Sequence, residues 1–160
     1  MLTSALQDWL AQEPASVMVP VSSQDIARFA IAIGASDPVH FDADSARAQG
    51  YPDVVAPDLF YLCLRTGAFN LVPQDSLHDE GTSLRDIPPI EYQTAMAGET
   101  KVTLYRRFVA GEPVLVTCRR ERAIRKEGRS GPLTLVEFRY DYATEAGQLI
   151  ATENFTRIFR

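Results

Sequence analysis

The hydrophobic periodicity of this chain changes near its middle, and that change limits the folds open to it. Between Thr3 and Phe69 apolar residues recur mostly at helical spacing, whereas from about Ile90 onward they alternate with polar residues. Consecutive strands joined by short turns pair antiparallel. The sequence therefore predicts an α+β fold with an antiparallel sheet. It lacks the strand–helix alternation and the glycine-rich loop of doubly wound nucleotide-binding folds.

Three helices are predicted ahead of the most apolar segment. The first contains Leu6 and Trp9 and stops before Pro14, so residues 1–14 are expected to form an N-terminal helical extension. The second starts near Gln24, after a serine that can cap it, and ends at a glycine. The third covers residues 43–49 and follows an aspartate that can cap it.

The segment from Asp58 to Phe69 is apolar on nearly every face and predicts a buried helix. We expect this long central helix to lie across one face of the sheet. The strands of that sheet are predicted around residues 102–104, 114–118, 136–142 and 149–159, with turns at 128–132 and 145–148.

Length and composition narrow the class of protein. A chain of 160 residues is expected to form a single domain over residues 1–160. Its net charge of −5 argues against a general nucleic-acid binder. Cys63 and Cys118 show no spacing typical of metal ligands or of a disulfide framework. With no basic residue before Arg28 and no apolar run near the roughly 20 residues that a membrane-spanning helix needs, the sequence predicts a cytoplasmic protein without a secretory signal or membrane span.

Asp37 and His40 are the first candidates for catalysis. They lie three residues apart in a proline-containing loop that follows a predicted helix end. A carboxylate at this spacing can orient an imidazole, which can then transfer a proton near neutral pH. The alternative is structural: Asp37 caps the turn, and His40 is a partly exposed loop residue.

The remaining candidates for chemistry are few. His78 lies in the acidic stretch 74–81, which is interpreted as a solvated loop or as a flap over a site. Neither histidine has a second metal ligand at a suitable spacing, so no metal is expected. Cys63 lies in an apolar helix and is expected to be a core residue. Acid–base chemistry therefore suits the chain better than nucleophilic catalysis.

Basic residues are concentrated between residues 101 and 129, where nine basic side chains accompany three acidic ones. One interpretation is a binding surface for the phosphates of a ligand such as coenzyme A, with Arg119, Arg122 and Arg125 as contacts. The other is the solvated face and edge of a sheet, where basic side chains prevent edge pairing. Strict strand alternation would place Arg119 and Arg125 on one face and Arg120 and Arg122 on the other.

Several segments, taken in order, resemble MaoC-like dehydratases over residues 15–160. The resemblance rests on the helix and loop at 29–42, on Gly50-Tyr51-Pro52-Asp53-Val54-Val55-Ala56-Pro57, and on the turn segments 97–100, 126–132 and 147–151. It is strongest to the N-terminal-type domain of that family. This resemblance implies a hotdog fold, in which an antiparallel sheet wraps around a central helix.

The resemblance also implies an activity: (R)-specific hydration of 2-enoyl thioesters, or dehydration of 3-hydroxyacyl thioesters. In active relatives an Asp and a His hold the catalytic water in the pattern Gly-Asp-x-Asn-Pro-x-His. Here His40 takes the histidine position, but Ala35 takes the aspartate position and Asp37 the asparagine position. The backbone N–H of Asp58 aligns with the glycine that binds the thioester oxygen in active relatives. No cofactor is implied beyond coenzyme A or a carrier protein as part of the substrate.

Two functions follow from this departure. In the first, Asp37 replaces the missing carboxylate and the chain is itself a hydratase. In the second, the chain is a non-catalytic partner that shapes an acyl pocket, while another hotdog chain supplies the complete pair. A hotdog acyl-CoA thioesterase is a third alternative, by analogy of fold. Relatives pair through their sheets, so we expect a homodimer or a heteromer with a complete-motif subunit.

Overall fold

The computed structural model describes residues 2–78, 83–129 and 131–160. Part of the predicted acidic loop, residues 79–81, and Ser130 of the predicted turn lie outside these ranges. The helices in the described ranges are α1 (Ser4–Leu10), α2 (Ser23–Ala32), α3 (Ala43–Ala48) and α4 (Tyr61–Phe69). The strands are β1 (Ala15–Val19), β2 (Ala95–Leu104), β3 (Val114–Gly128), β4 (Gly131–Ala143) and β5 (Leu149–Phe159).

The five strands form one antiparallel sheet in the order β1-β3-β4-β5-β2. The four strands of the second half were predicted, whereas β1 was not. β1 is a five-residue edge strand between Pro14 and Pro20, and it pairs with the start of β3. Most of its residues are exposed, so it lacks the alternation by which a half-buried strand is identified.

The predicted helix ends in the first half are confirmed. The Ser22 hydroxyl accepts the N–H of Asp25 at 3.0 Å, and α2 is followed by Gly34 with a φ of +72°. The Asp42 carboxylate accepts the N–H of Ser45 at 2.7 Å at the start of α3. These local contacts hold the loop between α2 and α3, which carries the candidate histidine.

α4 packs on the inner face of the sheet, the face that faces the core. Tyr61 meets the ring of Tyr142 edge-to-face at 6.2 Å, and Phe69 contacts the ring of Tyr140 at 5.9 Å. The helix is shorter than expected, because its predicted first turn, from Asp58, is a 3₁₀ turn that leads into α4. A sheet around one central helix is the hotdog fold that the family resemblance implied. The helix is not buried on every face as expected: Tyr61, Leu64, Ala68 and Phe69 are buried, whereas Leu62 and Cys63 are only partly so.

A buried ionic cluster joins α4 to the sheet. Glu153 is fully buried, and its carboxylate contacts the guanidinium of Arg65 and accepts the hydroxyl of Tyr142 at 2.7 Å. The Arg65 guanidinium also lies 4.7 Å from the centre of the Phe155 ring. Burial raises the pKa of Glu153, since desolvation of the carboxylate outweighs the attraction of Arg65 and the Tyr142 hydrogen bond.

The predicted N-terminal extension is helical, and it packs into the core. Leu6 and Trp9 of α1 are buried, and the Trp9 ring meets Phe138 edge-to-face at 6.1 Å. The Arg120 guanidinium stacks on Trp9 at 4.5 Å and donates to the carbonyl of Arg85 at 2.7 Å. α1 is therefore a structural part of the hotdog core.

β3 contains a bulge that changes which side chains share a face. Its ladder with β4 passes from Arg120 to Arg122 and skips Glu121. Strict alternation predicts that Arg120 and Arg122 share a face, and this prediction is wrong. The bulge places Arg122 on the outer face together with Arg119, while Ala123 is buried in the core.

Two arginine–carboxylate contacts, the outer-face pairs, lie on the exposed side of the sheet. Arg119 contacts Asp141, and Arg122 binds the two carboxylate oxygens of Glu137 at 2.7 and 2.8 Å. The Arg122 side chain is 63% exposed. These pairs cover part of the basic stretch that the sequence identified.

Candidate functional site

His40 is held in one orientation by the backbone. It ends a 3₁₀ turn that begins at Pro38, and it is only 6% exposed. Its Nδ1 donates to the carbonyl of Val55 at 2.7 Å, while the N–H of Val55 donates to the carbonyl of Val39 at 3.1 Å. In a neutral ring this bond leaves Nε2 to accept a proton. The interpretation of His40 as a partly exposed loop residue is therefore wrong.

The strand-like segment Val54–Ala56 is itself fixed from the other side. The N–H of Ala56 donates to the carbonyl of Phe108, and the N–H of Ala110 donates to the carbonyl of Val54, both at 2.9 Å. Val55 and Val109 form an antiparallel bridge. Three chain segments, distant in sequence, thus define the position of the imidazole.

The Asp37 carboxylate binds a backbone N–H rather than the imidazole of His40. Its carboxylate accepts the N–H of Val39 at 3.2 Å and caps the 3₁₀ turn, and the residue is exposed. The partner of the His40 Nδ1 is the Val55 carbonyl, not this carboxylate. Ala35, at the position where active relatives have the aspartate, carries no carboxylate. That Asp37 acts in catalysis stays a prediction.

Asp58 lies close along the chain to Val55, whose carbonyl binds the His40 ring. It follows Val55 by three residues, so their Cα atoms are at most about 10 Å apart. Asp58 begins the 3₁₀ turn before α4, where the first N–H groups have no intrahelical partner. The turn receives no side-chain cap from the preceding Pro57. The Asp58 Oδ1 lies 3.4 Å from Nε of Arg107, and the Asp58 side chain is 68% exposed.

Arg107 and Tyr51 are site residues that the sequence analysis did not single out. The Arg107 guanidinium lies over the Tyr51 ring, 6.0 Å from its centre. Both residues line a cleft of about 780 Å³ that also includes Arg106, Glu112 and Gln148. Tyr51 belongs to the Gly-Tyr-Pro segment that carries the family resemblance, and this was the available signal.

The three arginines predicted to bind phosphate are not brought together. Arg119 and Arg122 belong to the outer-face pairs, with acidic partners. Arg125 lies on the other face of β3, roughly 35 Å along the strand from Val114, the residue at the site end. The predicted phosphate role of these three residues is untested, and their separation argues against a shared phosphate site.

An apolar groove of about 670 Å³ runs between β1, α2 and α4. Its apolar walls include Val19, Phe29, Phe60, Leu62 and Leu71. Cys63 also lines the groove, and burial raises the pKa of its thiol. The groove can hold an alkyl chain, and the thiol within it is not an activated nucleophile.

His78 is half-buried, and its Nε2 lies 3.3 Å from the hydroxyl of Tyr92. Within residues 2–78, 83–129 and 131–160, no three His, Cys, Asp or Glu side chains form a cluster that could hold a metal ion. None of the helices in these ranges combines the length and hydropathy that crossing a bilayer requires.

Comparisons with known proteins identify the family and the fold. The family model for the FAS1-like dehydratase domain region matches residues 9–153. A UPF0336 protein of Parafrankia sp. is 30% identical over 146 residues, which cover 91% of this chain and 87% of the relative.

Two solved structures show the same fold. The chain resembles the MaoC-like dehydratase of Rhodospirillum rubrum with a TM-score of 0.67 and 14% identity, over 98% of this chain and 97% of that one. It resembles a chain of the HadBC 3R-hydroxyacyl-ACP dehydratase complex of Mycobacterium tuberculosis with a TM-score of 0.71 and 16% identity, over 93% and 96%. With its fold and its family match in agreement, this chain belongs to the FAS1-like dehydratase domain region family, a family of MaoC-like hotdog proteins.

Proposed function

We propose that this chain is the acyl-thioester-binding subunit of a heteromeric hotdog dehydratase. The observation that carries the proposal is the incomplete catalytic pair. His40 is buried and fixed by Val55, but the nearest carboxylate in the loop, Asp37, caps the backbone, and Ala35 offers none. A partner subunit with the complete aspartate–histidine pair would supply the missing groups.

The reaction would remove water from a (3R)-3-hydroxyacyl thioester, or add it to the 2-enoyl thioester. In dehydration, a base removes a proton from C2, the hydroxyl group leaves C3 with a proton, and a C2–C3 double bond forms. The thioester oxygen gains negative charge as the enolate develops, so it needs hydrogen-bond donors that are already in place. In this chain the N–H groups of the turn at Asp58 would provide them.

The apolar groove would hold the acyl chain. The groove runs along α4, the helix into which the turn at Asp58 leads. Its walls are mostly apolar, and burying an alkyl chain there contributes about 0.8 kcal/mol for each methylene group. The thioester would belong to coenzyme A or to a carrier protein.

Exposed apolar side chains near the site support a partner. Phe41 and Leu59, adjacent to His40 and Asp58 in sequence, are 43% and 51% exposed, and Ile31 of α2 is 69% exposed. Exposed large apolar side chains are typical of surfaces that bind another protein when they lie together. The similarity to a chain of the HadBC complex supports a partner of the same fold.

The test is an assay of hydration and dehydration with (3R)-3-hydroxyacyl and 2-enoyl thioesters of coenzyme A and of a carrier protein. We expect the chain alone to be inactive and the mixture with a complete-motif hotdog subunit to be active. In that mixture, His40→Ala in this chain should cost less than about tenfold, whereas the same change in the partner should cost about two orders of magnitude or more.

A second candidate function is hydration by this chain alone, favoured by the fixed His40 with its free Nε2. In that case the isolated chain is active, and both His40→Ala and Asp37→Asn reduce the rate by about two orders of magnitude or more. This result would contradict the role of a non-catalytic subunit.

A further inference from the structure

The turn that would bind the thioester oxygen carries a negative charge of its own. Asp58 is the first residue of the 3₁₀ turn, which receives no side-chain cap from the preceding Pro57. A free carboxylate beside the N–H groups would repel the charge that develops on a thioester oxygen bound there. A protein that uses this turn therefore needs a way to hold the carboxylate aside and compensate its charge.

Arg107 stands where such compensation is needed. Its Nε lies 3.4 Å from Oδ1 of Asp58, and its guanidinium rests over the Tyr51 ring. The next residue, Phe108, accepts the N–H of Ala56, two residues before Asp58. The same backbone pairing holds Val55, whose carbonyl binds His40, and the backbone next to Arg107.

The other charged groups of the cleft have closer partners. Arg106 binds both oxygens of Glu112 at 2.7 and 2.8 Å, and the Asp53 carboxylate accepts the N–H of Val54 at 2.6 Å. Among the described cleft residues, Arg107 is the cation whose carboxylate partner belongs to the thioester-binding turn.

We propose that Arg107 is a positioning residue: it draws the Asp58 carboxylate away from the turn and neutralises it, so that the backbone N–H groups can bind the thioester oxygen. Tyr51 supports the guanidinium from below. This inference rests on the proposed function, because it assumes that a thioester binds at this turn.

A double-mutant cycle in the assembled complex of this chain with its partner tests the inference. We expect Arg107→Gln to lower kcat/KM for the hydroxyacyl thioester about tenfold, since an unpaired carboxylate then faces the developing charge. In the Asp58→Asn background, adding Arg107→Gln should change kcat/KM by less than about twofold, because no carboxylate remains to be compensated. Arg107→Lys should retain part of the activity in the Asp58 background.

A matched control is Arg47→Gln, which breaks the exposed pair of Arg47 and Asp44 on α3 and should leave kcat/KM unchanged. An active complex in which Arg107→Gln equals wild type overturns the inference alone. Equal losses with and without Asp58→Asn also overturn it, and would mean that Arg107 contacts the ligand itself. A wild-type complex without activity on any of the thioesters overturns the proposed function and this inference together.

Discussion

The two faces of the sheet hold the same kind of contact in opposite environments. On the inner face, the buried ionic cluster sets Arg65 against Glu153, a carboxylate with no exposed surface. On the outer face, Arg122 binds Glu137 with good two-point geometry but remains 63% exposed. Water screens the outer contact, whereas loss of one partner on the inner face leaves a charge stranded in the core. Burial, rather than the number of ion pairs, decides how much each face contributes to the free energy of unfolding.

Removing the cation of the buried ionic cluster should lower the free energy of unfolding more than any change on the outer face. Arg65→Met keeps a long side chain against Phe155 but leaves the Glu153 carboxylate without its cation. We expect a loss of about 3–5 kcal/mol in the free energy of unfolding, measured by urea denaturation. Arg122→Met on the outer face is the matched control, and its urea midpoint should stay at the wild-type value. Equal losses in the two variants would contradict the comparison.

A smaller effect is expected on how the free energy of unfolding depends on pH. The pKa of Glu153 is raised by burial above the ordinary value of 4.5, so the folded state holds this proton more tightly than the unfolded state. Its contribution to stability is therefore present at low pH and is lost as the pH rises from about 4.5 through the folded-state pKa. Urea denaturation between pH 4 and pH 8 should show that Glu153→Gln removes this part of the pH dependence. Parallel curves for the two proteins would contradict the assignment.

The smallest effect is expected on the outer face. Reversing the charges of Arg119, Arg122 and Arg125 should lower the affinity for acyl-coenzyme A, and make it less sensitive to salt, only if these residues contact its phosphates. Because two of them already have acidic partners and the third lies on the other face, we expect the affinity to stay at the wild-type value. Titration calorimetry at low and high salt measures the outcome.

Local signals in the sequence were enough for most of the fold. The serine and aspartate caps of α2 and α3 and the alternation in β3–β5 act within a few residues, and the structure contains each of them. β1 was missed because its residues lie mostly exposed at an edge. The bulge at Glu121 was missed because a bulge depends on the pairing with β4, which no pattern within β3 reveals.

The candidate site was predictable only in part, because its contacts also join residues that are distant in sequence. His40 was found because its loop carries a motif, and its burial follows from a bond to Val55, fifteen residues away. Arg107 comes to Asp58 only through the pairing of residues 54–56 with 108–110. In the sequence it was one of nine basic residues in its stretch, with nothing to separate it from the others.

The bulge in β3 also determines where this strand can change in length during evolution. Because pairing with β4 continues on both sides of Glu121, a deletion of that one residue would leave every later side chain of the strand on its present face. A deletion farther away, such as at Val116, would move the residues between it and Glu121 to the opposite face. Glu121 is therefore the position in β3 where a one-residue deletion leaves every other side chain of the strand on its present face.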